Sequence, residues 1–171
     1  MHQIDECYKK VKNDCFKFIN FQETKTNKFK NKKRMLKSYL IPLSFWIKKK
    51  LKKKSPLIIG LSGGQGTGKT TITSIISLIL RKYFKLKVFK ISIDDFYKTR
   101  KDRKKLSIIK HPLLIIRGVP GTHDCRIIYK FFKKIKSKKF SKLRLPKFDK
   151  SKDDRCHKKL WYKINSRPDV I

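Results

Sequence analysis

The sequence has 171 residues, of which 48 are Lys or Arg and 12 are Asp or Glu, so the formal net charge at pH 7 is +36. The length allows one domain with a buried core, and a hydrophobic content of 39% excludes a chain that is disordered by composition. The apolar runs are too short for a membrane span, the N-terminus does not read as a signal peptide, and the cysteine spacing excludes a zinc site, so we expect a cytoplasmic protein with reduced thiols.

The positive charge has two interpretations. A polyanionic partner such as a nucleic acid is one of them. The other is compositional, because the chain contains no alanine and is rich in Lys, Ile and Phe, as an A/T-rich coding sequence would dictate. The lysines are spread along the whole chain, so we favour the second interpretation and expect no specific nucleic-acid partner.

Residues 1–54 are predicted to form a basic, mostly helical N-terminal extension. Its clearest element begins near Pro42, a residue that fits the first turn of a helix. Helical spacing then places four apolar residues on one face: Leu43, Trp46, Ile47 and Leu51. Such a basic amphipathic helix is able to lie on a membrane, but we favour packing of this face on the rest of the domain.

Residues 55–171 alternate between strand-like and helix-like patterns. A buried strand in "PLIIGLS" leads to a glycine loop and then to a helix over residues 69–82, followed by a strand over residues 87–94. The turn "GVPGTHD" enters another helix, for which Thr122 is a candidate cap. A short strand and a charged loop follow, and "RPDVI" resembles the start of one more buried strand. This order predicts an α/β domain with a parallel sheet flanked by helices, a P-loop NTPase fold in view of the loop described next.

Five of the seven glycines lie between Gly60 and Gly68. Residues 63–70 read GGQGTGKT and satisfy the pattern GxxxxGK[ST] between a predicted strand and a predicted helix. Glycines let backbone N–H groups wrap a phosphate chain, and the start of the helix adds partial positive charge. The predicted ATP-binding residues are Gly63, Gly64, Gln65, Gly66, Thr67, Gly68, Lys69, Thr70 and Thr71. Lys69 is expected to contact the β- and γ-phosphates, and the Thr70 hydroxyl to hold Mg²⁺.

A pair of carboxylates, Asp94 and Asp95, follows the second predicted strand. A carboxylate at that edge of a sheet is able to accept a proton from a hydroxyl that is being phosphorylated. A solvated turn or a helix cap explains the same pair equally well, and a P-loop by itself does not separate kinases from GTPases or motors.

Several segments, in order, resemble the D-glycerate 3-kinase family, which is similar to uridine kinase, phosphoribulokinase and pantothenate kinase. They are "IPLSFWI", "GLSGGQGTGKTT", "ISIDDFYKT", "HPLLIIRGVPGTHD" and "LPKFDKSKDDR". Residues 1–30 carry no match. The resemblance implies transfer of the ATP γ-phosphoryl group to a hydroxyl of a small metabolite, with D-glycerate as the first candidate. A nucleoside or sugar-phosphate kinase, and a non-catalytic basic nucleotide- or nucleic-acid-binding protein, remain as alternatives.

The resemblance also assigns roles to individual residues. It implies that Asp94 is the catalytic base and that Lys69 assists the transfer. The acceptor-side residues that it implies are Asp95, Tyr97, Arg117, His123, Asp124, Lys150 and Arg155, with Asp154 nearby. Cationic side chains in this set suit the carboxylate of an acid such as glycerate.

The sequence departs from the family after "PDVI". The relatives continue with the rest of that strand, a Glu-Gly-Trp-like segment, a lid with basic residues and further strands. We therefore expect a C-terminally truncated kinase with an incomplete sheet, a final strand at an open edge, and weak or absent turnover.

Overall fold

The computed structural model describes residues 2–26, 28–52, 55–64, 66–137 and 139–171. Contacts within the chain group it into two compact units. The first unit extends through Lys90 and also includes Pro168–Ile171, and the second unit is Ile91–Arg167. The predicted division into residues 1–54 and 55–171 remains a prediction from the sequence.

The first unit is built mainly from helices. They are α1 (His2–Gln22), α2 (Lys32–Met35), α3 (Ile41–Lys50) and α4 (Lys69–Lys82), with a π-helical turn at Leu36–Leu40 between α2 and α3. In α1, apolar residues recur every fourth position and form a buried stripe: Cys7, Val11, Cys15 and Ile19. This stripe packs with residues of the π-helical turn, α3 and α4, including Leu36, Ile41, Ile75 and Ile79. The predicted helical N-terminal region is therefore confirmed.

Helix α3 packs into the first unit, as predicted, but through only part of the predicted face, because Ile47 is buried and Leu51 packs beside it. Ile41, Ser44 and Ile47 are buried, whereas Leu43 and Trp46 are exposed. Ser44 was not counted because it is polar, yet its hydroxyl donates to the carbonyl oxygen of Leu40 at 2.7 Å, which satisfies it inside the core. The apolar residues of this helix therefore lie on both its buried and its exposed sides.

Three extended segments of the first unit run parallel to one another. Val170 forms parallel bridges with both Leu57 and Val88, so the segment at the end of the sequence lies between the other two. Backbone hydrogen bonds of 2.8–2.9 Å join Ile59 to Ile171 and Phe89 to Val170. The predicted parallel pairing is confirmed, and the expectation that the final segment forms an open edge is wrong, because it is flanked on both sides.

The predicted strands are shorter than expected. The segment at residues 57–59 is only partly buried, and the extended part of the second strand is centred on Val88. Ile93 was expected inside that strand, but it begins a 3₁₀ turn, Ile93–Phe96, and its side chain is exposed. The turn is favoured there because the Ser92 hydroxyl accepts a hydrogen bond from the Asp94 N–H at 3.3 Å.

In its described residues, the second unit has two helices and two small antiparallel sheets. The helices are α5 (Arg100–Ile109) and α6 (Cys125–Lys136), with 3₁₀ turns at Pro112–Ile115 and Lys158–Leu160. Strands β1 (Leu143–Leu145) and β4 (Tyr162–Ile164) pair with Leu143 opposite Ile164. Strands β2 (Phe148–Asp149) and β3 (Asp154–Arg155) form a hairpin with Phe148 opposite Arg155. Across the described part of the chain, no helix is long and apolar enough to cross a bilayer.

Candidate active site

The glycine loop lies immediately before α4, in the first unit. Gly66 and Gly68 have φ values of +79° and +78°, a conformation that side-chain-bearing residues rarely adopt. A Cβ atom built on either glycine meets no atom within 4 Å, so these two residues border open space. Gly68 precedes α4 and has no side chain with which to cap it. The first turn of α4 is therefore open to an external acceptor such as a phosphate oxygen.

Two side chains fold back onto the loop. The Lys69 ammonium donates to the carbonyl oxygen of Gly63 at 2.7 Å and also to that of Gly64. The Thr67 hydroxyl donates to the Gly64 carbonyl oxygen at 2.9 Å. These bonds hold the Lys69 charge beside the glycine backbone, in the position from which it would neutralise a bound phosphate chain.

The loop residues fit a nucleoside triphosphate with Mg²⁺. The open space at Gly66 and Gly68 suits phosphate oxygens, and Lys69 supplies a cation. Thr70 is exposed in the first turn of α4, where its hydroxyl is available as a hard oxygen ligand. Thr71 lies half-buried beside it. Gln65, also predicted to contact ATP, lies outside the described residues.

In the second unit, Asp94 lies in the 3₁₀ turn and meets Lys150 from the β2–β3 hairpin. The Lys150 Nζ is 2.7 Å from the Asp94 Oδ2, and both side chains retain contact with solvent. The two residues are 56 positions apart in the sequence, so their charges meet only in the folded chain. An accessible carboxylate with an adjacent cation can accept a proton and contact an anion.

Tyr97 and His123 stack beside Asp94. Their ring centroids are 4.2 Å apart at an interplanar angle of 26°, and a backbone bridge joins the two residues. Burial raises the pKa of the Tyr97 hydroxyl. The negative charge of Asp94, and the hydrogen bond between the Tyr97 and Asp94 side chains, raise this pKa further. Burial lowers the pKa of His123, against the opposing effect of Asp94. At neutral pH, His123 is therefore a neutral ring, not a fixed cation for an anionic acceptor.

Arg155 and Asp124 make internal contacts. The Arg155 guanidinium donates to the Tyr97 carbonyl oxygen from Nε at 3.1 Å and from Nη2 at 2.6 Å. The same Nη2 donates to the Asp124 Oδ2 at 3.3 Å. Asp124 also accepts from the Ile127 N–H at 3.3 Å and so caps α6. The predicted cap Thr122 is wrong, because Thr122 is buried and its hydroxyl donates to the Val119 carbonyl oxygen at 2.6 Å.

Asp95 and Asp154 likewise bind backbone groups. Asp95 is buried, and one carboxylate oxygen accepts from the Phe148 N–H at 3.1 Å. Burial raises the pKa of Asp95, although this hydrogen bond opposes the shift. Asp154 accepts from the Arg100 N–H at 2.8 Å and the Arg155 N–H at 2.7 Å. These two carboxylates fix the hairpin to the 3₁₀ turn and to the start of α5.

Arg117 lies against the same hairpin. Its Nη1 donates to the Lys150 carbonyl oxygen at 3.2 Å, and its Nε is 3.5 Å from the Asp153 Oδ1. Its guanidinium carbon is 5.8 Å from the centroid of the Phe148 ring. The structure thus brings together Asp94, Tyr97, His123, Arg117 and Lys150, which we call the acceptor cluster. Within the set predicted from the resemblance, Asp95, Asp124, Asp154 and Arg155 lie around this cluster and make the internal contacts described above.

The sequence analysis missed Arg103 and Asp153. Arg103 is fully buried, and it donates to the Ile115 carbonyl oxygen at 2.7 Å and to the Asp153 carbonyl oxygen at 2.6 Å. Its Nη2 also lies 2.9 Å from the Asp153 Oδ2. Asp153 has a φ of +51°, in the left-handed region that Asp adopts more readily than most residues. The sequence did contain one indication that Arg103 is structural. Only nine of the 48 cations are arginines, and Arg is the cation suited to several fixed hydrogen bonds.

The chain is similar in sequence to proteins named as kinases. The chain is 33% identical over 118 residues to an uncharacterized kinase, mug58, of Schizosaccharomyces pombe, which covers 66% of this chain and 42% of that protein. It is 30% identical over 158 residues to the chloroplastic D-glycerate 3-kinase of Arabidopsis thaliana, covering 81% of this chain and 34% of that protein. The chain thus spans less than half the length of these curated relatives. No family model matches it.

The solved structures similar to this chain also include kinases. D-glycerate 3-kinase from Cryptococcus neoformans superimposes with a TM-score of 0.59 at 29% identity, over 78% of this chain and 48% of that one. A possible uridine kinase from Bacillus stearothermophilus gives a TM-score of 0.59 at 21% identity, over 80% of this chain and 68% of that one, and supports the fold alone. The fold is that of the P-loop kinases. Within that class the chain is similar to the D-glycerate 3-kinases, as the sequence motifs indicated, and the relatives described here all carry kinase names.

Proposed function

We propose that this chain is the nucleotide-binding portion of an ATP-dependent kinase that phosphorylates a hydroxyl of a small anionic metabolite. The observation that carries the proposal is the complete P-loop, with Gly66 and Gly68 opening toward free space at the start of α4 and Lys69 held beside them. A glycine turn that only joined a strand to a helix would not need a cation at that point.

ATP and Mg²⁺ are the proposed cofactors. The backbone N–H groups of the loop and of the first turn of α4 would hold the phosphates, with Lys69 neutralising their charge. Thr70 would contribute one oxygen ligand to Mg²⁺. The metal would draw charge from the transferred phosphoryl group.

The acceptor cluster is proposed to orient the nucleophile. Asp94 would accept the proton of the acceptor hydroxyl, with the Lys150 ammonium at 2.7 Å holding the carboxylate in place. Arg117 and Lys150 would contact an acceptor carboxylate. D-glycerate is the first candidate, because it joins a hydroxyl to a carboxylate and because two of the similar proteins are named for it.

The test is a panel of hydroxy acids, nucleosides and sugar phosphates with MgATP, read by ADP release. We expect D-glycerate or a similar hydroxy acid to be preferred. Asp94→Asn is expected to lower kcat by about 10²–10⁴-fold without weakening ATP binding. The matched control is Asp14→Asn, which alters a carboxylate of α1 in the first unit and leaves kcat unchanged.

Arg117→Ala should raise the KM of the acceptor more than the KM of ATP. If uridine or a pentose phosphate outperforms every hydroxy acid, the glycerate assignment is wrong and the broader kinase class survives. If Asp94→Asn retains full turnover, the role of Asp94 as base is wrong whichever acceptor is used.

A further inference from the structure

Helix α3 leaves a row of large side chains on the surface of the first unit. Tyr39, Leu43 and Trp46 are 58%, 40% and 53% exposed. Leu43, Trp46 and Lys50 share one face of α3, and Tyr39 precedes them in the π-helical turn. We call Tyr39, Leu43 and Trp46 the α3 stripe. Ile41, Ser44 and Ile47 are the buried residues of this helix, so α3 already packs on the core through another side and the stripe faces solvent.

The α3 stripe ends in cations. Lys48, Lys49 and Lys50 are all exposed in the last turn of the helix, and the Lys50 Nζ is 5.6 Å from the centroid of the Trp46 ring. No Asp or Glu occurs in the sequence between Glu23 and Asp94, so no nearby residue of the same segment neutralises this charge. Lys37 also lies on this segment, but its charge is paired with the Asp5 carboxylate.

We propose that the α3 stripe and its lysines dock this protein on the surface of an anionic lipid bilayer. Trp and Tyr rings favour the headgroup level of a membrane, where the ring is in apolar surroundings and its polar edge stays hydrated. Lysines at the same depth attract anionic headgroups. The helix would lie in the plane of the interface, with its buried side still packed on α1 and α4.

This combination favours a lipid surface over a nucleic acid. A duplex nucleic acid would be held through its phosphates by the lysines, and mutation of Leu43 would then change little. Leu43 and Trp46 instead offer apolar area next to charge, which suits a bilayer interface. The proposal does not depend on the kinase activity, because it concerns a different surface and needs neither ATP nor an acceptor.

The test uses vesicles of phosphatidylcholine with and without phosphatidylserine. The variant Trp161→Phe leaves Trp46 as the one tryptophan in the sequence, so its emission reports on α3 directly. We expect a blue shift of that emission, and quenching by brominated acyl chains, with anionic vesicles. Tyr39→Ser combined with Leu43→Ser should weaken vesicle binding by about tenfold, since both side chains contribute buried area.

Charge alone must be separated from the α3 stripe, because the whole chain is basic. Replacing Lys48, Lys49 and Lys50 by Ala should weaken binding by at least about tenfold. The matched control replaces Lys133, Lys134 and Lys136 in the last turn of α6, which removes the same charge and is expected to have a much smaller effect. Circular dichroism checks that each variant is folded.

Three outcomes would overturn the proposal. They are an unshifted Trp46 emission on bound vesicles, an equal loss for the α3 and α6 lysine variants, and vesicle affinity that is insensitive to the Tyr39 and Leu43 substitutions. The last result together with tight, salt-sensitive binding to duplex DNA would assign the lysines to a nucleic acid instead.

Discussion

The two units of the chain carry their functional groups in different ways. In the first unit, the P-loop is one continuous stretch whose chemistry resides in backbone N–H groups and a single lysine, from Gly63 to Thr70. In the second unit, the acceptor cluster is made of side chains that are far apart in sequence, such as Asp94 and Lys150. A backbone site is specified by its local sequence, whereas a side-chain site exists only once the tertiary structure has formed.

The second unit should therefore be the more sensitive to a single buried substitution. Arg103→Met removes three hydrogen bonds to Ile115 and Asp153 from a fully buried position and leaves the Asp153 carboxylate without this partner. Because the Ile115 and Asp153 carbonyl oxygens lose their donor, we expect a loss of about 2–4 kcal/mol in the free energy of unfolding, measured by urea denaturation.

Lys104→Met is the matched control for Arg103→Met. It replaces an exposed cation of the same helix, α5, and should change the free energy of unfolding by no more than about 0.5 kcal/mol. Equal effects of the two substitutions would mean that the buried Arg103 contacts do not stabilise the second unit.

A smaller effect is expected where a side chain of the second unit acts on the backbone. Asp124→Ala removes the cap of α6 and a partner of Arg155, and should cost about 1–2 kcal/mol in the free energy of unfolding. Asp124→Asn keeps an oxygen able to cap and should cost less. If Thr122→Val proves more harmful to α6 than Asp124→Ala, as judged by helix-specific hydrogen exchange, the assignment of Asp124 as the cap is wrong.

The smallest expected effect is electrostatic and lies inside the acceptor cluster. Burial lowers the pKa of His123, whereas Asp94 raises it, so NMR titration should place its midpoint below the ordinary value of about 6.5. Asp94→Asn should lower the midpoint further, and Asp14→Asn, in the first unit, should leave it unchanged. An upward shift in Asp94→Asn would show that Asp94 does not act on His123.

The lowered pKa of His123 also makes the free energy of unfolding depend on pH. The folded state favours neutral His123, so the contribution of this residue to stability is present above the unfolded-state pKa of about 6.5 and is lost as pH falls through the lower, folded-state pKa. His123→Asn should flatten the pH dependence of the free energy of unfolding in that window.

These differences explain what the sequence could and could not predict. The P-loop and helix α4 follow from local spacing, and each lies where the pattern indicated. The buried face of α3 followed only in part. Ile47 was placed inside correctly, but the burial of Ser44 was not predicted, since its hydroxyl is satisfied by its own helix and only packing shows that it is inside. Apolar residues that remain on the surface, such as Leu43 and Trp46, misled the assignment of that face.

For the second unit, the sequence predicted which residues belong to the acceptor side but not how they contact one another. The motifs around Asp94, Arg117 and Lys150 predicted an acceptor side, but not that Lys150 meets Asp94 or that Arg155 binds the Tyr97 carbonyl oxygen. Arg103 resembled another surface cation in "TRKDRKK", because burial of an arginine depends on partners 12 and 50 positions away. Contacts of that range leave no periodic trace in a sequence.

The central claim is that the loop before α4 binds the phosphates of ATP, and titration calorimetry with MgATP tests it most directly. Lys69→Ala should weaken binding by about 1.5–3 kcal/mol, or roughly tenfold to a hundredfold, because a charged contact to phosphate is lost. The matched control is Lys82→Ala at the opposite end of the same helix, whose ammonium lies 3.4 Å from the Asp14 carboxylate. The account predicts a large loss for Lys69→Ala with unchanged affinity for Lys82→Ala, and equal ATP affinity in the folded wild type and Lys69→Ala would contradict it.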